Sequence, residues 1–181
     1  MEGEKKMTPS IIFDASTLIS LSMTGLIEEL KELKKLFNGT FLITHEVKEE
    51  LIDNPINIKK FELEALRIKE LLEQKIIELP EAMNIKKEVV SKKTREFMNL
   101  ANTIFESNKR DIKIIHSGEA SCLALSVILK ERGLNNVLCI DERTTRMLVE
   151  KPGNLKSLLE KKMHTRIFFK KTISVNLKDL K

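Results

Sequence analysis

Carboxylates in four segments are the residues of this chain whose types and surroundings could do chemistry. Asp14 follows the apolar run Ser10-Ile-Ile-Phe13 and precedes Ala15, Ser16 and Thr17. Glu46, Glu49 and Glu50 follow a second apolar run, Thr40-Phe-Leu-Ile43. Glu119 lies in His116-Ser-Gly118-Glu119-Ala120, and Asp141-Glu142 come directly after Val137-Leu-Cys-Ile140. Each acid has an ordinary structural reading, because Asp caps helices and acids favour first helical turns. Brought together they would repel: two like charges about 4 Å apart cost about 4 kcal/mol at an effective dielectric of about 20. A divalent cation makes such a cluster tolerable, and carboxylate oxygens suit Mg²⁺ or Mn²⁺. With a phosphodiester as substrate, such an ion would activate water and offset charge on the phosphorus oxygens.

The apolar runs read as buried strands of a parallel sheet, which are hydrophobic on both faces. Asp14 and Asp141-Glu142 then sit at carboxyl ends of strands, the edge where open α/β sheets bind ligands. Thr44 caps a helix carrying Glu46 and Glu50. Ser117 is expected to cap the clearest helix of the chain, whose Ala120, Leu123, Ala124, Val127 and Ile128 form one stripe. A short strand around 112–115 would bring Glu119 to the same edge. The periodicity further predicts helices over 17–23, 26–36, 58–74, 84–108 and 154–163. It adds a strand over 75–79 and edge-strand candidates at 166–169 and 172–175. The expected fold class is α/β, with a helical elaboration over about 58–112.

Size and composition suit one soluble domain: 181 residues, 41% hydrophobic and 33% charged. No signal-peptide core and no run of about 20 apolar residues is present, which predicts a cytoplasmic protein that avoids the membrane. Cys122 and Cys139 have apolar neighbours and read as core, and His45, His116 and His164 lack zinc spacing. From Lys151 onward nine basic residues face two acidic ones, so that tail is +7 while residues 1–150 are −2 of the total +5. A basic terminus on a slightly acidic body suits a polyanion. Lys86, Lys87, Lys92, Lys93, Arg143, Lys161, Lys162, Lys170 and Lys171 are the candidate phosphate contacts.

Taken in order, Ile-Ile-Phe-Asp14-Ala-Ser16, Ile43-Thr-His-Glu-Val47-Lys-Glu-Glu50-Leu51, His116-Ser-Gly118-Glu119-Ala120 and Ile-Asp141-Glu142-Arg143 resemble the PIN-domain ribonucleases. The Gly-Glu-Ala and Asp-Glu-Arg forms are most similar to a prokaryotic and archaeal subgroup. The likeness covers most of residues 10–150 and implies a three-layer α/β/α sandwich over 8–155, followed by a basic extension over 156–181. It also implies Mg²⁺- or Mn²⁺-dependent endonucleolytic cleavage of single-stranded RNA. Carried over, Asp14, Glu119 and Asp141 are the expected metal ligands, with Glu142 as alternative to Asp141. Glu50 is the second acid, with Glu46 as its runner-up, and Ser16 supports the first. The alternatives are a nucleic-acid-binding or assembly module without catalysis, since Ile140 stands two positions before Glu142 where the family has Thr, or a toxin with an antitoxin partner. A homodimer through apolar residues of 26–36 and 58–72 is also an expectation.

Overall fold

A computed structural model describes residues 8–170. Three short parallel strands form its centre: β1 (Ser10–Phe13), β2 (Thr40–Leu42) and, late in the chain, β5 (Asn136–Cys139), in the order β2-β1-β5. In register, Ile11 lies between Phe41 and Val137, and Ile12 between Leu42 and Leu138. Consecutive residues of a strand point to opposite faces. Phe41 and Leu42 are both wholly buried, so both faces of the sheet are covered at β2. The expected strand over 75–79 is reduced to one parallel bridge from Glu78 to Leu42, flanked by left-handed Lys75 and by Pro80.

The helices are α1 (Ala15–Met23), α2 (Ile27–Leu36), α3 (His45–Lys48), α4 (Glu62–Glu73), α5 (Lys87–Ala101), α6 (Ser117–Glu131), α7 (Arg143–Glu150) and α8 (Pro152–Met163). Residues 58–61, expected to be helical, precede α4 as a turn. Leu33 and Leu36 on α2 and Leu63 and Leu66 on α4 remain exposed. The long helix expected over 84–108 ends at Ala101. Ile104 and Phe105, assigned to its apolar stripe, instead lie in and beside a second, antiparallel sheet. That sheet pairs β3 (Phe105–Ser107) with β4 (Arg110–Asp111) and with β6 (Phe168–Phe169). Asn108 and Lys109 connect β3 to β4, both at positive φ (51° and 61°), the pattern of a type I′ hairpin turn. A two-residue turn leaves no periodic signature, which is why the hairpin was hidden inside a helical reading.

Two apolar clusters result. One surrounds the parallel sheet with Leu18, Leu30, Ile68 and Leu71. The other joins Phe105, Ile115, Leu148, Leu155, Leu159 and Ile167. Helix α6 belongs to both: Cys122, Leu125, Ile128 and Leu129 face the first, Ala120 and Leu123 the second. Ten of its residues are buried, so it is enclosed on nearly every side. The cysteines are free, and burial pushes the Cys122 thiol well above its ordinary range. The boundary expected near residue 155 falls inside α8, whose Leu155 and Leu159 are core. The expected strand at 172–175 lies outside the described residues. No helix among the described residues is long and apolar enough to cross a membrane.

Candidate functional site

Asp14 stands one residue beyond the carboxyl end of β1 and caps α1. It is 3% exposed, and its Oδ2 accepts from the Ser16 backbone N–H (3.3 Å) and the Ser16 hydroxyl (2.6 Å). Its own N–H donates to Cys139 O at 3.0 Å, and the Thr17 hydroxyl donates to the same carbonyl at 2.9 Å. The chain is thus pinned where β1 and β5 both end.

Glu50 arrives from an irregular turn. Helix α3 gives way to a π-helical turn over Glu49–Asp53, closed by Asn54 N–H to Glu49 O at 3.0 Å. On a regular helix Glu46 and Glu50, four apart, would share a face. Here they diverge. Glu46 turns to α5, where the Ser91 hydroxyl donates to it at 2.9 Å. Glu50 turns to the first turn of α6, where the Gly118 N–H bonds to it and the Ser117 hydroxyl lies 3.5 Å away. Gly118 permits this approach: a Cβ there would lie 2.7 Å from Glu50 Oε2 and 3.0 Å from Cδ.

Glu119 is the third residue of α6 and accepts from the His116 N–H. His116 therefore occupies the capping position expected for Ser117, which is already the first helical residue. The strand expected around 112–115 does not form. The N–H groups of Ile114 and Ile115 donate instead to Asn102 Oδ1 (2.6 and 3.0 Å), and Asn102 Nδ2 donates to Ile115 O at 3.1 Å. One side chain takes the place of a neighbouring strand.

Asp14, Glu50 and Glu119, from three segments distant in sequence, line a cleft of about 380 Å³ together with Ser16, Lys113 and His116. Much of Glu50 is open to solvent, yet its carboxylate is pressed against α6; burial first, then the charge of Asp14, raise its pKa. Burial raises that of Glu119 too, with Asp14 and Glu142 adding repulsion. A second, larger trough of about 840 Å³ adjoins the cleft, with Lys113, His116 and Glu119 lining both.

Of the two acids after β5, the structure brings Glu142 to this trough and leaves Asp141 exposed, lining neither cavity. Glu142 caps α7, accepting from Thr145 N–H at 2.6 Å. The expected basic surface also divides. Helix α5 runs antiparallel to α6: Lys93 pairs with Glu131 (3.0 Å), whereas Met98 lines the cleft at the other end. Lys86, Lys87, Lys92 and Lys93 are therefore displaced toward the far end of α6, where Glu131 lies about 18 Å along the axis from Glu119. Lys170 bonds to Asp111 and lies 3.4 Å from Glu106. Arg143 and Lys161 are exposed and line neither cavity, Lys162 lines the trough, and Lys171 is outside the described residues. Arg110 and Lys113 lie on the trough but were not singled out, since their position depends on the hairpin.

Oxygen donors of this kind suit a hard divalent ion; the raised proton affinities of Glu50 and Glu119 come first from burial, with the charge of Asp14 adding to each. The spacing is less complete: among the described residues no three His, Cys, Asp or Glu side chains form a group able to hold a metal ion together. Comparison with family models, with curated proteins and with solved structures returned no match.

Proposed function

We propose that this protein is a metal-dependent endoribonuclease of the PIN type that hydrolyses phosphodiester bonds of single-stranded RNA. The observation that carries this reading is the convergence of Asp14, Glu50 and Glu119 on one cleft beyond the ends of parallel strands. Their order and surroundings in the sequence are those that resemble the family. The three-layer α/β/α arrangement belongs to the same proposal; the burial of successive residues Phe41 and Leu42 supports helices on both faces of the sheet.

A Mg²⁺ or Mn²⁺ ion in this cleft would be held by carboxylates drawn from Asp14, Glu50 and Glu119. When bound, such an ion would supply an activated water and would offset charge on the scissile phosphate. Ser16, bonded to Asp14 Oδ2, fixes that carboxylate's rotamer and leaves Oδ1 uncommitted by either bond. Gly118 N–H holds Glu50 against α6, and Lys113 at the rim offers a charge to the incoming phosphate.

Cleavage of labelled single-stranded RNA in Mn²⁺, abolished by EDTA, is the expected result. Asp14→Asn retains a good helix cap and should fold as the parent does. It should lose cleavage and also lose the rise in melting temperature that Mn²⁺ gives the parent. One observation favours a second reading, a nucleic-acid-binding module without catalysis: Glu119 and Glu142 each accept a backbone N–H at a helix start, and among the described residues no three-ligand group is formed. RNA binding without cleavage, and without stabilisation by Mn²⁺, would establish that second reading.

A further inference from the structure

The larger trough adjoining the acidic cleft has two walls built from elements outside the motifs that carry the family likeness. One is the β3–β4 hairpin with the segment after it, contributing Arg110 and Lys113. The other is the end of α8, contributing Lys162. All three cations are exposed, and none makes an ion pair or hydrogen bond with the described residues. They differ in this from Lys31, Lys48, Lys93, Arg146, Lys156 and Lys170, which are all within 4 Å of carboxylates. Unpaired cations gathered along one concavity mark a place for an anion supplied from outside.

Acids line the trough as well. Asp111, on the hairpin, is bound by Lys170. The remaining acids, Glu119 and Glu142, both line the trough, and Glu119 also lines the cleft with Asp14. Arg110 and Lys162 line the trough and not the cleft, whereas Lys113 lines both. A chain of phosphates lying here would have one phosphate at the acids and its neighbours against the cations.

We propose that this hairpin–α8 trough is the backbone subsite for single-stranded RNA next to the cleaved bond, with Arg110, Lys113 and Lys162 as its phosphate contacts. Its volume of about 840 Å³ is in the range of ligand-binding clefts. Among the described residues that line it the aromatic ring is that of His116, which also lines the cleft, so the rest of the trough meets the strand through its phosphates and binding there is tolerant of sequence. The proposal rests on the nuclease reading for the identity of its ligand.

The test measures anisotropy of a fluorescein-labelled oligouridylate with the full-length protein in EDTA, so that binding is read without turnover. Neutralising Arg110, Lys113 and Lys162 together to Ala should weaken binding at least tenfold and lower the slope of log K against log salt by about 2, at ~0.7 per phosphate contact on a single strand. The distant set Lys86→Ala, Lys87→Ala and Lys92→Ala should leave both unchanged, and duplex RNA should compete poorly. Circular dichroism melts confirm that the variants fold; the substituted side chains are exposed and unpaired. The subsite is overturned if the parent does not bind, if the trough variant binds as the parent does, or if the distant set loses as much. Binding through the trough with no Mn²⁺-dependent cleavage would sink the nuclease reading and leave the subsite standing. Cleavage with KM unchanged in the trough variant would do the reverse.

Discussion

Gly118 and Glu50 are a pair in which absence of a side chain positions another. A methyl on Gly118 would collide with the far end of a flexible Glu and with no backbone atom. Gly118→Ala should therefore leave the melting temperature at or slightly above the parent's, since Ala favours the helix by up to ~1 kcal/mol. It should push the Glu50 carboxylate from its N–H donor and reduce Mn²⁺-dependent cleavage at least tenfold. Equal losses of stability and activity would refute that division. Glu50 also carries a signed pH dependence. Burial and Asp14 raise its pKa above the ordinary 4.5, so the folded state holds its proton more tightly than the unfolded one. The parent should then lose stability as pH climbs from that ordinary value through the raised one. Glu50→Gln removes the penalty: its melting temperature should exceed the parent's at neutral pH, and the difference should vanish below the ordinary carboxylate pKa. A difference that grows on acidification would contradict the assignment. Asp14 and Glu119 were legible in the sequence because strand ends and first turns announce themselves; Glu50, beyond the first turn of α3, was preferred to Glu46 only through the family likeness. Asp141 against Glu142 was not legible, because adjacent residues differ only in direction, and α7 takes Glu142 as its cap.

At the scale of elements, the segment leading into α6 depends on Asn102. Its amide makes three bonds to the backbone of Ile114 and Ile115, in place of a strand partner. Asn102→Ala leaves these groups without partners at about 1 kcal/mol each, a loss of about 2–3 kcal/mol in chemical denaturation. Asn102→Asp, which keeps an acceptor for the two N–H groups, should recover part of it. If the alanine variant unfolds at the parent's denaturant concentration, Asn102 is not the anchor described. Such a support is invisible to periodicity, since it replaces a repeating pattern with a single residue. The π-helical turn that separates Glu46 from Glu50 is equally hidden, since one extra residue in a turn rotates the rest of the helix without altering composition. The three parallel strands were legible because apolar runs bounded by turn residues are the strongest signal a short strand has.

At the scale of the whole molecule, two apolar clusters among the described residues meet along α6. Its Cys122 and Leu125 pack with the parallel sheet, its Ala120 and Leu123 with the hairpin side, and Leu138 of β5 touches both. From the sequence α6 reads as an amphipathic helix with one stripe. Its burial on the remaining sides comes chiefly from α5 and α3, which pack against it and whose positions no periodicity of α6 announces. Charge distribution is likewise a property of the assembled chain: Lys86 and Arg110 are equally basic in the sequence, yet one lies by the distant end of α6 and the other on the trough.

A rod gripped by both cores acts as the keystone of an arch. Neither half can melt while the other keeps hold of it, so denaturation should trace one sigmoid instead of two steps. The opening turn of that rod also carries Gly118 and Glu119, so a parting of the seam would draw these residues away from Asp14 and end the chemistry before secondary structure disappears.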